Sequence, residues 1–366
     1  MIPFIDIRAQ REAYRSEFLQ AEQGVLDSGC YIGGPEVQNL EAELAKYTGA
    51  AHAITCGSGT DAITIALLAM GIQPGDEVIV PDFTFIAPAE CVMRLGAIPK
   101  FADIDAETLQ ASVESIAKLI TPKTRGIIAV NLFGQCAPYA EIQKCARANN
   151  LWLIEDSAQA FGATQNGAAA CTFGDIAITS FYPAKPLGCY GDGGALFTQN
   201  NELAQKIRLI ANHGSCKRYI HEICGINSRL DAIQAAVLRV KLRHLDEELK
   251  MRRENARKYN EFFAEMNSAN GNGAKTVPQR IADGNTSTYA QYTVLAEDRE
   301  SFIEKLDDAK IPYCIHYPMP LHEQPCFKGL AQSGANTNAI EASQKAVSLP
   351  FCAFTDVDAI VAKLKQ

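Results

Sequence analysis

The sequence predicts an α/β fold with a large domain built on a mostly parallel sheet, followed by a small C-terminal α+β domain. Over the first two thirds of the chain, helical patterns alternate with short apolar runs bounded by Gly, Pro and Asp. This alternation is typical of strand and helix units that form a parallel sheet. At 366 residues, the chain exceeds the usual size of one domain, so a large domain and a smaller one are expected.

The candidate strands of the large domain are six short apolar runs, several of which end in an acidic or hydroxyl residue. In open α/β sheets, ligands bind at the carboxyl ends of the strands, so a site is expected where these runs end. The runs cover residues 76–81, 98–104, 125–133, 151–156, 175–181 and 194–198.

A long helical pattern runs from Ser228 to about Phe263, with apolar residues at three- and four-residue spacing and charges on the other face. We interpret it as a helix that connects two domains, a large one over 1–244 and a small one over 245–366. The remaining predicted elements are a surface loop over 266–287, a strand over 289–296, a helix over 298–311 and a strand over 312–318, followed by closing helices.

Composition excludes several classes of protein. With 34 basic and 42 acidic residues, the net charge of -8 argues against a protein that binds nucleic-acid backbones, although an anionic ligand can still be held locally. The twelve cysteines are scattered singly and are predicted to be reduced thiols. The chain has neither a signal-peptide core nor an apolar run of membrane-spanning length, so we predict a soluble cytoplasmic protein without a membrane partner. No metal site is predicted.

The segment "CGSGTDAITIALLAMG" (56–71) predicts a helix that begins after a glycine-bracketed turn. Gly57 and Gly59 bracket the turn, and Thr60 and Asp61 suit the first turn of the helix, whose free backbone N–H groups and positive dipole end suit a phosphate. The segment lacks the lysine of a P-loop and the G-x-G-x-x-G spacing of a dinucleotide site. A plain capped helix is therefore an equally good interpretation of this segment alone.

In "LWLIEDSAQAFGA" (151–163), an apolar strand places Glu155 and Asp156 at its carboxyl end. A carboxylate there can hold a protonated ring nitrogen through a charge-assisted hydrogen bond. Aspartate is also a common helix N-cap, which is the alternative interpretation of Asp156.

Lys185 is the feature of greatest interest in "SFYPAKPLGCYGDGGAL" (180–196). It follows a strand that ends near Ser180 and lies between Pro183 and Pro186, which stiffen the backbone around it. A buried lysine has a lowered pKa and forms Schiff bases with carbonyl compounds. Taken alone, Lys185 is better explained as a structural residue than as a catalytic one.

The three segments together supply what pyridoxal 5'-phosphate requires of a protein. These requirements are a phosphate site, a carboxylate for the pyridine nitrogen and a lysine for the aldehyde. These three segments and three others resemble the DegT-like nucleotide-sugar aminotransferases of fold type I. The others are "PGDEVIVPDFTFIAPAE", "HGSCKRYIHEICGINSRLDAIQAAVLRVKL" and "IHYPMPLHEQP". The resemblance covers nearly the whole chain, from "FIDIRAQ" to "SLP". The resemblance implies a mixed, mostly parallel seven-stranded sheet flanked by helices, and a homodimer whose active sites are shared between subunits.

The resemblance also implies a role for each matching residue. Lys185 would form the Schiff base with the cofactor and later move the proton between substrate and cofactor, while Asp156 would bind the pyridine nitrogen. The other cofactor contacts would be Gln159 at the ring hydroxyl, Phe85 on the ring face, Gly59, Thr60 and Ser180 at the phosphate, and Asn227 at the phosphate of the neighbouring subunit. The substrate contacts would be Arg229, His316 and Tyr31.

Alternatives remain for several of these residues. Phe85 could be a core residue, Asn227 and Arg229 could cap or cover the long helix, and His316 could be a structural histidine. Ser58 departs from the family, which often has Asn before "GT", and this puts one phosphate contact in doubt. His213, Arg218 and His221 are expected only to lie near the site.

Four segments are, within the family, most similar to enzymes that aminate UDP-2-acetamido-2-deoxy-3-oxo-D-glucuronate with L-glutamate, which becomes 2-oxoglutarate. The segments are "KPLGCYGDGGA", "KRYIH", "YAQYTV" and "IHYPMPLHEQP". Such enzymes serve the synthesis of bacterial surface polysaccharide such as O-antigen. Three other functions are alternatives. A 4-keto-6-deoxy sugar aminotransferase would use the same residues, and a non-catalytic regulatory protein that binds the cofactor would not react with glutamate. Sugar dehydratases of this family typically carry histidine at the lysine position, so Lys185 counts against them.

Overall fold

The computed structural model describes residues 2–271, 273–330 and 335–365. The helices of this part of the chain are α1 (Ile7–Ala13), α2 (Arg15–Ser28), α3 (Gly34–Thr48), α4 (Gly59–Ala69), α5 (Ala87–Arg94), α6 (Val113–Leu119), α7 (Tyr139–Ala148), α8 (Asn201–Ala211), α9 (Ala232–Ala269), α10 (Arg299–Asp308), α11 (Thr337–Lys345) and α12 (Val357–Leu364).

The strands form one large sheet and three small ones. The large-sheet strands are β1 (His52–Cys56), β2 (Glu77–Pro81), β3 (Ile98–Ala102), β4 (Thr124–Val130), β5 (Trp152–Asp156), β8 (Ile176–Ser180) and β9 (Gly194–Thr198). The short strands are β6 (Thr164–Gln165), β7 (Ala168–Ala169), β10 (Ser215–Lys217), β11 (Ile220–His221), β12 (Thr276–Pro278), β13 (Asn285–Thr286), β14 (Tyr292–Ala296) and β15 (Ala346–Leu349).

The large sheet confirms the predicted seven-stranded, mostly parallel α/β architecture. Its order is β1-β9-β8-β5-β4-β2-β3, and β9 alone runs against its two neighbours. All six predicted runs overlap a strand of this sheet. The remaining strand, β1, was not identified in the sequence, because the five residues of "HAITC" have too few β-branched or aromatic positions to stand out.

Helices cover both faces of the large sheet. On one face, α4, α5 and α8 bury a cluster that includes Ile65, Val80 and Ile178. On the other face, the first half of α9 packs with α3 around Leu44 and Phe197. With both faces covered, polar side chains reach a ligand only at the strand ends, which is why the site forms there.

Helix α9 begins at Ala232, four residues later than predicted, and continues six residues beyond Phe263. Its side chains pack with the large-domain core as far as Leu249 and with the small-domain core from Ala256 onward. One uninterrupted helix therefore belongs to both domains, and the predicted boundary at residue 245 falls within it. The segment predicted as a loop over 266–287 includes the end of this helix and the strand β12.

The prediction of a strand over 312–318 was wrong. Only Cys314 pairs with a neighbour, Ser348 of β15, and the chain then leaves the small sheet. Pro318 and Pro320 have no N–H group with which to extend the pairing. The segment instead carries His316 into the space between the two domains.

Candidate active site

A cavity of about 650 Å³ lies at the carboxyl ends of β4, β5 and β8, between the large domain and the small domain. Eight of the predicted residues line it, and they are Gly59, Thr60, Phe85, Asp156, Gln159, Ser180, Lys185 and His316. Residues that are far apart in the sequence are thus brought to one space. The cavity is also lined by the N-terminal residues Phe4 and Ile5 and by the small-domain residue Gln291.

One end of this cavity is the start of α4, where the sequence predicts a phosphate site. Ser58 is the N-cap of the helix, and its hydroxyl oxygen accepts a hydrogen bond from the Asp61 N–H at 3.0 Å. The departure at Ser58 therefore has a structural role, because this hydroxyl caps the helix. The N–H groups of Gly59 and Thr60 belong to the first turn, where no helical carbonyl accepts them, and Ser180 lies directly opposite.

Replacement of Gly59 by alanine is expected to weaken cofactor binding. A Cβ atom at this position would lie 2.7 Å from the Ser180 Cβ, so the helix start and the strand end would have to separate. We expect the Kd for pyridoxal phosphate to rise by about 10-fold or more, measured by fluorescence titration of the apoenzyme. Gly24→Ala is the control, because no atom lies within 4 Å of a Cβ at that exposed helical site. Equal affinity in the two variants would contradict the assignment.

Asp156 ends β5 and is 5% exposed. Its Oδ1 accepts a hydrogen bond from the Ala158 N–H at 2.9 Å. A turn follows rather than a helix, so the helix N-cap interpretation was wrong. Burial raises the pKa of Asp156, whereas the Ala158 N–H and the positive charge of Lys185 lower it. A buried carboxylate of this kind is stabilised as an anion by a cation placed against its free edge.

Lys185 lies on the turn that follows β8, and its N–H donates to the Tyr182 carbonyl at 2.9 Å. A Cβ atom at Gly188 would lie 2.6 Å from that same carbonyl oxygen, so the turn closes only with glycine there. Burial lowers the pKa of Lys185, and Asp156 opposes this effect. The lowered pKa favours the neutral amine, which is the form that attacks a carbonyl carbon.

Gln159 is held in one orientation by the backbone. Its Oε1 accepts from the Phe133 N–H at 2.7 Å, and its Nε2 donates to the Tyr317 hydroxyl at 3.3 Å. The second N–H of the amide is left for a ligand oxygen in the cavity. Tyr317 was not identified from the sequence, although it directly follows the predicted His316.

Phe85 is 52% exposed at the cavity, so the alternative that it is a core residue was wrong. Its ring centroid lies 6.5 Å from that of Tyr317. An exposed aromatic ring at a ligand cavity presents a face on which a flat ring can stack.

Three predicted residues, Tyr31, Asn227 and Arg229, do not line the cavity. All three are exposed. The Tyr31 carbonyl accepts from the Ala232 N–H at 2.9 Å, which places Tyr31 beside the start of α9. Asn227 and Arg229 precede that helix, whose N-cap is Asp231, so the alternative that either one caps it was wrong. In a single copy of the chain, none of these three side chains reaches the cavity.

The family model for the DegT/DnrJ/EryC1/StrS aminotransferases matches residues 12–365. The chain belongs to this family. It is 43% identical over 360 residues to the UDP-2-acetamido-2-deoxy-3-oxo-D-glucuronate aminotransferase of Pseudomonas aeruginosa, with 98% of each chain covered. It is 41% identical to the pleiotropic regulatory protein of Geobacillus stearothermophilus, with 95% of this chain and 93% of that protein covered.

Solved structures of the DegT/DnrJ/EryC1/StrS aminotransferase family share the fold. A member from Brucella abortus superposes with a TM-score of 0.94 at 37% identity, over 100% of this chain and 99% of that one. A Bacillus subtilis protein solved with the cofactor PMP superposes with a TM-score of 0.88 at 29% identity, over 96% of this chain and 81% of that one. The chain is accordingly a sugar aminotransferase that depends on pyridoxal phosphate.

The cavity fits this cofactor on its own geometry. The close approach of Gly59 to Ser180 forms a cradle of N–H and hydroxyl donors that a larger residue would fill. Asp156 provides a buried carboxylate and Lys185 an amine in the same cavity. Thr84 also lines it, and its buried hydroxyl oxygen has no hydrogen-bond partner in the described part of the chain.

Two further properties concern the described residues as a whole. They contain no group of three or more His, Cys, Asp or Glu side chains arranged to hold a metal ion. No helix among them is both long enough and apolar enough to cross a bilayer.

His316 is an uncharged hydrogen-bonding group at neutral pH. Burial lowers its pKa to about 4, and the positive charge of Lys185 acts in the same direction. Its Nδ1 lies 2.9 Å from the Ser348 hydroxyl, which in turn lies 2.8 Å from the Thr293 hydroxyl. His316 can thus be a structural histidine through Nδ1 and still contact a ligand in the cavity, because its other ring nitrogen remains free for that ligand.

The lowered pKa of His316 predicts a pH dependence of stability. Between pH 6.5 and 4, the unfolded chain binds a proton on this residue that the folded protein does not bind, so acidification destabilises the fold. His316→Gln removes this contribution. We expect its unfolding free energy, measured with urea from pH 4 to 7, to fall less steeply than that of the wild type, by up to about 1.4 kcal/mol per pH unit. Identical pH profiles would show that His316 is protonated at its ordinary pKa.

Proposed function

We propose that the protein transfers the amino group of L-glutamate to the 3-keto carbon of UDP-2-acetamido-2-deoxy-3-oxo-D-glucuronate. The observation that supports this most is the combination of Lys185, Asp156 and the α4 start in one cavity with the similarity to the Pseudomonas aeruginosa enzyme over the whole chain. The product would enter bacterial surface polysaccharide synthesis.

In this proposal, residues that line the cavity make the contacts with the cofactor. Gly59, Thr60 and Ser180 would hold the phosphate, Asp156 the protonated ring nitrogen and Gln159 the ring hydroxyl. Bound pyridoxal phosphate supplies the carbonyl that accepts an amino group and the ring that delocalises the electrons released by deprotonation. Lys185 would anchor the aldehyde carbon and, once released, carry the proton from one carbon to the other.

The charge of the cavity supports a homodimer. Lys185 is the one lysine or arginine that lines it in the described residues. Burial lowers the pKa of its amine, and His316 is neutral there. The phosphate, the glutamate carboxylates and the nucleotide diphosphate are all anionic, and anions in proteins are paired with cations. We propose that Arg229 and Asn227 of a second copy complete the site, with Tyr31 nearby, in a cytoplasmic dimer.

The experiment is a set of half-reactions with the purified enzyme. Glutamate is added first, and the cofactor absorbance is expected to change as 2-oxoglutarate forms. No change would indicate a cofactor-binding protein without transaminase activity. The resulting amino form is then offered the 3-keto uronate and a dTDP- or UDP-linked 4-keto-6-deoxy sugar in separate reactions. Return of the original absorbance with the 4-keto sugar alone would overturn the proposed substrate.

A further inference from the structure

One wall of the cavity comes from the small domain and has no assigned role in cofactor binding. We call it the small-domain wall and define it as Gln291, Cys314 and His316, which all line the cavity. Gln291 directly precedes β14, two positions before Thr293, while Tyr292 between them is buried in the small-domain core. Alternation along the strand therefore directs Gln291 and Thr293 to the same side.

The side chain of Gln291 is incompletely satisfied in the folded chain. Its amide oxygen is enclosed and has no hydrogen-bond partner among residues 2–271, 273–330 and 335–365. The buried Thr84 hydroxyl is in the same condition, and it lines the same cavity from the large domain. Buried polar groups are nearly always paired, and an unpaired one is costly unless a ligand supplies the missing partner.

The small-domain wall carries no positive charge. Gln291 and Cys314 are neutral side chains, and burial keeps His316 uncharged at neutral pH. A carboxylate or phosphate would be bound by a cation, so neither the glutamate carboxylates nor the nucleotide phosphates match this surface. A carboxamide both donates and accepts hydrogen bonds, and an accepting oxygen requires a ligand O–H or N–H group.

We propose that Gln291 is a specificity-determining residue that hydrogen-bonds an uncharged polar substituent of the keto sugar, either an acetamido or a hydroxyl group. The proposal rests on the proposed function, because it requires a sugar substrate in this cavity. On the same wall, the Ser348 hydroxyl lies 2.9 Å from the His316 Nδ1 and 2.8 Å from the Thr293 hydroxyl.

The test is Gln291→Leu, which keeps a similar size and removes both amide functions. We expect kcat/KM for the keto sugar to fall about 10- to 100-fold and the Kd of the amino-sugar product, measured by calorimetry, to rise by a similar factor. The rate of the glutamate half-reaction, followed by cofactor absorbance, is expected to stay within about twofold, since a group that acts only on the sugar does not affect it. Gln205→Leu, at an exposed position of α8, is the control.

Two sugar substrates distinguish the possible contacts. If Gln291 binds the acetamido group, Gln291→Leu loses more activity with the 2-acetamido sugar than with its 2-hydroxy analogue. Equal losses with both sugars place the contact on another hydroxyl, which still supports the proposal.

An unchanged kcat/KM and Kd would overturn the proposal, and so would an equal loss in the glutamate half-reaction. A wrong substrate assignment would be a separate result, because the reactions of the wild-type enzyme with each keto sugar show it. If the wild type aminates only a 4-keto sugar, the same Gln291 measurements are made with that sugar.

Discussion

Lys185→Ala is expected to abolish transamination, with a fall in kcat/KM of about 1000-fold or more. In the proposed mechanism, the variant lacks the amine that would anchor the cofactor aldehyde and carry the proton between the two carbons. No other lysine lines the cavity in the described residues, so no neighbouring amine can take its place. The glutamate half-reaction, followed by cofactor absorbance, measures this loss.

A second measurement of Lys185→Ala does not depend on turnover. Borohydride reduction of the wild type with pyridoxal phosphate is expected to add the mass of the cofactor to the peptide that contains Lys185, whereas Lys185→Ala gains no mass there. Lys144→Ala, an exposed position on α7, should behave as the wild type in both assays. Retained turnover in Lys185→Ala, or labelling of another lysine in the wild type, would refute the assignment.

Asp156→Asn is expected to lower kcat of the glutamate half-reaction by about 100- to 1000-fold. Asparagine has the same shape and can still accept the Ala158 N–H, so the turn after β5 is kept. The negative charge that favours a protonated ring nitrogen is lost, and the electrons released by deprotonation are then less well stabilised. Stopped-flow absorbance after glutamate addition gives the rate.

A measurement of thermal stability distinguishes the loss of the negative charge from unfolding of the Asp156→Asn variant. Burial raises the pKa of Asp156, so an uncharged side chain at this position costs less desolvation than a carboxylate does. We expect the apoenzyme of Asp156→Asn to melt no lower than the wild type. Asp308→Asn, at an exposed position of α10, serves as the control for both measurements. A half-reaction within about twofold of the wild-type rate would exclude Asp156 as the ring-nitrogen partner.

The large domain was the more predictable part of the protein. Its strands are buried runs with clear turn residues at both ends, and the groups of interest lie at the ends of those runs, as Asp156 and Ser180 do. For a parallel sheet, the position of a residue at the end of a strand is enough to place it at the ligand edge. The exception was β1, which is short and pairs with β9, a strand more than a hundred residues later.

The small-domain side of the site was less predictable. Whether the segment around His316 continues as a strand depends on how far it pairs with β15, and that pairing stops after Cys314. Gln291 carries no local signal, because a glutamine before a strand is ordinary until the cavity beside it is known. Its unpaired amide becomes evident only when all of its neighbours are in place.

The sequence by itself determined the α/β class, six of the seven strands of the large sheet, and the three groups that we propose to hold the cofactor, namely the α4 start, Asp156 and Lys185. These features depend on local patterns and on residues fixed to the ends of secondary-structure elements. Only the tertiary structure decided which residues form the small-domain wall, the lowered pKa of His316 and the exposure of Tyr31, Asn227 and Arg229. Those properties arise from burial and from contacts between distant segments, and neither is encoded in any short stretch of the chain.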